Sequence, residues 1–237
     1  MDERLYLRQL AAGRDFAVGD PIARTMQNFV YLVGDRLTRE CCAVDPAWDV
    51  RGIVAAAEAD DMRVTGALVT HWHPDHVGGN MMGHDVQGLA AFLAVNPAPI
   101  WVHGEDAAMV KMMTGVSDSD LRTVSSGDRV RIGEVEVECL HTPGHTRGSQ
   151  CFRCGQALVS GDTLFLDGCG RTDLPGGDVE EMWRTLHERL LALPGDLVLY
   201  PGHDYGHAPS APLDEVRRTN GALQAPDYAT FRRLRGG

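Results

Sequence analysis

A run of three histidines and one aspartate, His-Trp-His-Pro-Asp-His at residues 71–76, directly follows the apolar, strand-like segment 66–70. Neutral imidazole nitrogens and carboxylate oxygens are preferred ligands of zinc, and iron(II) accepts them as well. A turn that leaves a strand can direct its residues i and i+2 at one ion while residues i+4 and i+5 reach a second ion. The segment therefore predicts a metal site at the end of a buried strand, with a solvated His-rich loop as the alternative.

Three later segments contain further metal-ligating residue types. They read His-Thr-Pro-Gly-His-Thr at 141–146, Ser-Gly-Asp-Thr-Leu-Phe at 160–165 and Tyr-Pro-Gly-His-Asp-Tyr at 200–205. Each follows an apolar, β-rich run and contains glycine or proline, which is typical of a loop at a strand end. These segments supply the ligands that residues 71–76 lack, and they disfavour the solvated-loop alternative.

The four segments, in this order, resemble the ligand pattern of the metallo-β-lactamase superfamily, and the resemblance extends from about residue 27 to residue 205. It implies an α/β fold, the four-layer αββα sandwich. It also implies two adjacent metal sites that share one bridging carboxylate. The expected ligands are His71, His73 and His145 at the first site, Asp75, His76 and His203 at the second, and Asp162 as the bridge.

Two further residues have expected roles around these ligands. By the same resemblance, Asp45, in Ala-Val-Asp-Pro at 43–46, is expected to orient a metal ligand from behind, as hydrogen-bonding partners of ligands do at metal sites generally. His141 is expected to be a structural histidine, or a contact to a ligand, rather than a ligand itself.

The length and composition agree with a compact enzyme domain. For 237 residues with 43% hydrophobic content, we expect one domain over residues 1–237, with a core at about 27–205 and a short helical tail at 206–237. The net charge of −11 argues against a nucleic-acid surface. No apolar run approaches the ~18 residues that span a bilayer, and the N-terminus does not read as a signal peptide. We therefore expect a cytoplasmic protein without a membrane partner, and both a monomer and a homo-oligomer remain open.

Periodicity and turn residues predict a chain in which strands and helices alternate. Residues 178–193 read as an amphipathic helix with acidic residues at its start and Pro-Gly at its end. Residues 130–140 alternate apolar and polar side chains around Gly133, as a hairpin would. Further strands are predicted at 5–10, 28–33, 41–45, 67–70, 100–103 and 197–200, and further helices at 49–59, 89–95, 105–113, 213–220 and 227–234.

The expected ligand set favours hydrolysis. A water that bridges two divalent ions loses much of its proton affinity, so hydroxide is available near neutral pH, while the second ion stabilises charge on the substrate or leaving group. Two zinc ions are the favoured cofactors, with iron or manganese as alternatives. Asp75 and Asp162 are expected to serve catalysis as metal ligands, and no separate general base is then required.

Residues 168–175, Gly-Cys-Gly-Arg-Thr-Asp-Leu-Pro, indicate which bond is cut. They resemble the glyoxalase II group, thioester hydrolases that act on S-acylglutathiones, and this implies a small-molecule thioester substrate. Arg171 stands where that group has a cationic contact to glutathione, and Tyr205 matches an aromatic residue near the thiol. Asp173 stands where that group tends to have an aromatic residue, so the thiol carrier is left open.

Two alternative functions remain. Residues 168–173 also resemble the persulfide dioxygenases, which share the fold but use a single iron; His71, His145 and Asp162 would then hold iron(II) with positions open for oxygen. A metal-binding protein without turnover is the non-enzymatic alternative. We favour the hydrolase, because all seven expected ligands are present and a complete two-metal set serves hydrolysis directly.

Overall fold

The structure, a computed structural model, describes residues 3–235; the first two and last two residues of the predicted domain 1–237 lie outside this range. Within it, no helix combines the length and apolar character needed to cross a lipid bilayer.

The strands are β1 (Leu5–Ala11), β2 (Phe29–Asp35), β3 (Glu40–Val44), β4 (Arg63–Leu68), β5 (Gly79–Met81), β6 (His84–Val86), β7 (Ile100–His103), β8 (Leu121–Val124), β9 (Arg129–Ile132), β10 (Val135–His141), β11 (Gln150–Cys154), β12 (Ala157–Gly161), β13 (Val198–Pro201) and β14 (Ala211–Pro212). The helices are α1 (Pro21–Met26), α2 (Val50–Ala59), α3 (Pro74–Val77), α4 (Leu89–Val95), α5 (Ala107–Thr114), α6 (Val179–Arg184), α7 (Leu213–Thr219) and α8 (Tyr228–Leu234).

Most of these strands form two six-stranded sheets. The first has the strand order β1-β2-β3-β4-β7-β8 and the second β14-β13-β12-β11-β10-β9, while β5 and β6 form a small hairpin. In the first sheet, β3, β4, β7 and β8 run parallel, and in the second β12 and β13 run parallel. Neighbouring parallel strands end at the same edge of a sheet. The loops after β12 and β13, which contain Asp162 and His203, therefore emerge side by side.

The apolar side chains form three layers of core. Every residue of β2 is buried, because the strand is covered on both faces. Phe29 and Tyr31 pack into the cluster between the two sheets, whereas Val30 and Leu32 belong to the cluster beneath the helices of the first sheet. A third cluster joins the second sheet to α6, α7 and α8. Three apolar layers thus separate four layers of secondary structure, and the predicted αββα sandwich is confirmed.

The helix predicted at 178–193 differs in form from the expectation. It begins after Asp178, whose carboxylate caps its first turn, but over Thr185–Leu190 it continues as a π-helix. The Thr185 hydroxyl donates to the carbonyl of Pro143 at 2.7 Å. This hydrogen bond joins the helix to the loop that contains His145. π-Helical turns are frequent at functional sites.

Candidate metal centre

The first histidine loop leaves β4 and turns immediately into a short helix. His73 is the residue before α3, and Pro74 occupies the first helical position. A proline at this position costs the helix no hydrogen bond, because the first N–H groups of a helix have no intrahelical partner. The chain therefore turns directly after His73, and Asp75 and His76 follow within the single turn of α3.

His71, His73 and His145 form the first of two clusters of candidate metal ligands, called here the first and second ligand clusters. Their ligating nitrogens lie within 4.8 Å of one another, and His73 Nδ1 is 2.9 Å from His145 Nε2. Burial lowers the pKa of His71 well below its usual value. Burial and the neighbouring His145 lower the pKa of His73 to about 3. Both rings are therefore neutral at pH 7, the form in which imidazole binds a metal.

Asp75, His76 and His203 form the second ligand cluster. The Nε2 atoms of His76 and His203 are 3.3 Å apart, and each lies 3.4 Å from Oδ2 of Asp75. Burial lowers the pKa of His76, but the carboxylates of Asp75 and Asp162 outweigh it and raise the pKa to about 10. The two carboxylates thus require a nearby positive charge, a requirement that a divalent cation would also meet.

Asp162 lies between the two clusters. Its Oδ2 is 3.6 Å from His145 Nε2 and 3.3 Å from His203 Nε2, and its Oδ1 is 3.4 Å from His76 Nε2. Both Asp162 Oδ1 and His71 Nε2 are buried atoms without a hydrogen-bond partner among residues 3–235. Buried polar atoms are rarely left in this state. The orphaned atoms, with a donor set of imidazoles and carboxylates, fit zinc or iron(II).

In each cluster, one histidine is oriented by a hydrogen bond from its Nδ1 to a backbone carbonyl group. His145 Nδ1 donates to the carbonyl of Arg171 at 2.7 Å, and His203 Nδ1 donates to the carbonyl of Met26 at 2.7 Å. A hydrogen bond from one ring nitrogen fixes the tautomer and the ring orientation. In both histidines, Nε2 is consequently directed at Asp162.

Asp45 lies behind both clusters. Its carboxylate accepts hydrogen bonds from His76 Nδ1 at 2.9 Å and from the N–H and hydroxyl of Thr70 at 2.7 and 2.5 Å. The Thr70 oxygen is in turn 3.0 Å from His71 Nδ1. Asp45 has a left-handed φ of 54°, which is uncommon for a residue other than glycine. These contacts place Asp45 behind His76 and His71, and its orienting role stays a prediction.

His141 lies apart from the ligand clusters. Its ring stacks on that of His103 at a centroid distance of 3.9 Å, and its Nε2 donates to the carbonyl of Arg147 at 2.8 Å. The stacked pair lines a polar cavity of about 490 Å³ next to the loop of His145. The ring of His141 contacts that loop through a backbone carbonyl group, so any influence of His141 on a metal ligand is indirect.

Tyr205 lies beside the second cluster. Its ring stacks on His203 at a centroid distance of 4.6 Å, and the residue is 51% exposed. Phe165 packs edge-on against both rings, 6.1 Å from His203 and 5.8 Å from Tyr205. Burial of the hydroxyl, with the negative charge of nearby Asp162, raises the pKa of Tyr205 to about 12. The phenol is therefore protonated at neutral pH and forms an aromatic wall with Phe165.

Arg171 faces away from the histidines through its side chain. Its guanidinium makes a two-point contact with the carboxylate of Asp173 at 2.9 and 2.8 Å, and both side chains are 64% exposed. An exposed ion pair of this kind is weak because water screens both charges, so a substrate anion could replace Asp173. The Arg171 backbone carbonyl, by contrast, contacts His145.

Two residues of the site were missed in the sequence patterns. Asn28 donates through Nδ2 to Asp75 Oδ2 at 3.0 Å and accepts from Trp48 Nε1 at 3.0 Å. Asp106, before α5, is 1% exposed and accepts hydrogen bonds from both loops of the first cluster. The available signal for Asn28 was a polar residue directly before the apolar residues that begin β2. No sequence signal distinguished Asp106, because an acidic residue before a helix usually indicates a solvent-exposed cap.

The comparison with known proteins agrees with the fold. Residues 23–203 match the family model of the Metallo-beta-lactamase superfamily. The chain belongs to this superfamily.

Relatives of this chain include hydrolases and persulfide dioxygenases. The chain is 39% identical over 183 residues to a hydroxyacylglutathione hydrolase of Polaromonas sp., covering 76% of this chain and 63% of the relative's length. It is 30% identical over 207 residues to the mitochondrial persulfide dioxygenase ETHE1 of Homo sapiens, covering 86% of this chain and 73% of the relative. The crystal structure of ETHE1 from Myxococcus xanthus superimposes with a TM-score of 0.79 at 26% identity, covering 98% of this chain and 90% of the other.

Proposed function

We propose that this protein is a cytoplasmic metal-dependent hydrolase that cleaves small thioesters with two divalent ions, preferably zinc and otherwise iron or manganese. The observation that carries the proposal is the convergence of two ligand clusters on Asp162, with buried ligand atoms that lack another partner. One ion would be held by His71, His73 and His145, the second by Asp75, His76 and His203, and both by Asp162.

When bound, two divalent ions lower the pKa of a shared water and stabilise negative charge on the substrate. The side chains of this chain have complementary tasks. Asp75 and Asp162 balance the positive charge. Asp45, through His76 and Thr70, keeps ring nitrogens directed inward. No side chain is then needed as a separate general base.

A thioester suits this arrangement chemically. A thiol with an ordinary pKa of about 8.5 can leave as the thiolate without a dedicated general acid. Phe165 and Tyr205 offer an aromatic surface beside His203 for the carbon chain of the leaving thiol. The identity of 39% to a hydroxyacylglutathione hydrolase supports a thioester over other esters. Arg171 would contact an anionic thiol carrier by exchanging Asp173 for it.

The second candidate is a persulfide dioxygenase with a single iron. It is favoured by the similarity to the human and Myxococcus xanthus ETHE1 proteins. His71, His145 and Asp162 would hold the ion, and a two-histidine, one-carboxylate set is suited to iron(II) with open positions. The remaining cluster residues would then not ligate metal.

Metal content and turnover, measured together, separate these functions. Protein is purified without a metal-chelating column from cells supplied with zinc and iron, and its metals are counted by mass spectrometry. About two divalent ions per chain, with hydrolysis of S-lactoylglutathione or of an S-acyl-N-acetylcysteamine, support the hydrolase. About one iron per chain, with oxygen consumption on glutathione persulfide and no thioester cleavage, overturns it. Asp162→Ala should remove metal and activity together, whereas Asp167→Ala, an exposed residue of the same loop, should retain both.

A further inference from the structure

The segment of residues 164–171, called here the 164–171 loop, contacts both ligand clusters. At one end, the ring of Phe165 packs against His203. At the other end, the carbonyl of Arg171 accepts the hydrogen bond of His145. Gly170 lies so near His145 that an added Cβ atom would be 3.0 Å from the imidazole ring. A displacement of this loop would therefore disturb His145 directly.

Asn220 holds the first half of this loop. It follows α7 and is 0% exposed. Its Nδ2 donates to the carbonyl groups of Phe165 and Gly168 at 3.0 and 2.9 Å, with a longer contact of 3.4 Å to that of Leu166. Its Oδ1 accepts from two backbone N–H groups of the segment after α7. The amide is thus bonded on both sides and cannot turn without breaking several contacts.

Arg235 holds the second half of the loop. It follows α8, and its Nη2 donates to the carbonyl groups of Cys169 and Gly170 at 3.0 and 2.8 Å. Hydrogen bonds from a charged donor are stronger than those between neutral groups. Gly170 immediately precedes Arg171, so this guanidinium lies one residue from the carbonyl that orients His145.

We propose that Asn220 and Arg235 are positioning residues of the metal centre. By fixing five backbone carbonyl groups of the 164–171 loop, they set the orientation of His145 and the place of the Phe165 ring beside His203. The helices after residue 206 thereby act on the metal centre through the loop, without contributing a ligand. The inference rests on the proposed metal site.

The test compares Arg235→Ala with Arg233→Ala, two residues earlier in the last turn of α8. The Arg233 side chain is exposed and donates to the Thr230 hydroxyl within α8, so its removal controls for the loss of a positive charge. Zinc affinity is measured by competition with a chromophoric chelator. Loss of a direct hydrogen-bonding partner of a metal ligand lowers metal affinity roughly 10- to 100-fold. Arg235 acts one step further out, so we expect a decrease near the lower end, about 10-fold, for Arg235→Ala and no change for Arg233→Ala. Arg235→Lys, which keeps a charged donor, should recover part of the affinity.

Hydrogen–deuterium exchange of the metal-free protein provides the second measurement. Amide groups of residues 164–171 should exchange faster in Arg235→Ala than in the wild type, while the strands of both sheets remain protected. Faster exchange of the loop with unchanged zinc affinity would overturn the positioning role, as would unchanged exchange. If the wild type binds no metal, the proposed function fails, but the exchange experiment still decides whether Arg235 anchors the loop. Asn220 is fully buried and its variants risk unfolding, so the arginine variants decide the test.

Discussion

The carboxylate of Asp106 accepts a hydrogen bond from the Thr146 hydroxyl at 2.7 Å, and through this contact the two histidine loops of the first cluster are joined. Asp106 also accepts from the N–H of Gly148 at 2.7 Å and from the N–H of Trp72 at 3.2 Å. Trp72 belongs to the loop after β4, whereas Thr146 and Gly148 belong to the loop after β10. One buried side chain therefore sets the spacing of ligands that are far apart in sequence.

Asp106→Asn should weaken metal binding while leaving the protein folded. The new amide group can accept at one atom only, and its NH₂ would face either the Gly148 N–H or the pair of donors formed by Trp72 and Thr146. Loss of such an outer contact lowers metal affinity roughly 10- to 100-fold. Chelator competition measures the change, with Asp61→Asn as a control because Asp61 forms an exposed ion pair with Arg39. Affinity equal to that of the wild type would exclude this role of Asp106.

Asn28→Asp should lower the affinity for the second ion more than for the first. The substitution removes the N–H that holds Asp75 Oδ2 in place and puts a carboxylate oxygen there, so the two like charges repel and displace Asp75 from its position in the second cluster. The hydrogen bond from Trp48 is retained. Zinc titration followed by calorimetry should show one site of near-normal affinity and one weakened site. Asn80→Asp, on the exposed β5–β6 hairpin, should show two normal sites; equal weakening of both sites in Asn28→Asp would contradict the assignment.

Tyr205→Ala should raise the KM for a thioester more than it lowers kcat. Each CH₂ group of the thiol chain that no longer packs on the ring costs about 0.8 kcal/mol, which corresponds to a roughly 4-fold rise in KM. Tyr205→Phe keeps the stacked ring on His203 and is the matched control. A larger loss in Tyr205→Phe than expected for a bystander hydroxyl would indicate that the phenol, rather than the ring, contacts the substrate.

Asp35→Asn should lower the free energy of unfolding at neutral pH, and should lower it less in acid. Burial raises the pKa of Asp35, but hydrogen bonds from the N–H groups of Glu134 and Leu37 outweigh it, so the folded-state pKa is lowered. Ionised Asp35 therefore contributes stability that is present above its unfolded pKa, about 3.9, and that is lost as the pH falls through the lower folded-state value. Urea unfolding at pH 7 and below pH 4 measures this difference. The exposed Asp118→Asn serves as the control, and a deficit that does not shrink in acid would refute the linkage.

The elements that sequence patterns identified share a strong local signal. The helix at 49–59 has an N-terminal Asp49 whose carboxylate accepts from the Gly52 N–H, and the hairpin at 130–140 turns at Gly133 with a φ of 59°. Elements of few residues were missed, among them the six-residue α1, although Asp20 caps its start and Pro21 opens it, and the edge strands β8 and β14. Short edge strands are defined by their pairing with a neighbour, which local sequence does not contain.

The sequence by itself determined the superfamily, because four short segments place ligand types at strand ends in a fixed order, and those features are local. Only the tertiary structure decided which polar residues support these segments. Asn28 lies 47 positions from Asp75, Asp106 lies 40 positions from Thr146, and Arg235 lies 65 positions from Gly170. Such contacts depend on how two sheets and their outer helices pack, and a single hydrogen-bonding side chain carries no periodicity or spacing that would reveal its distant partner.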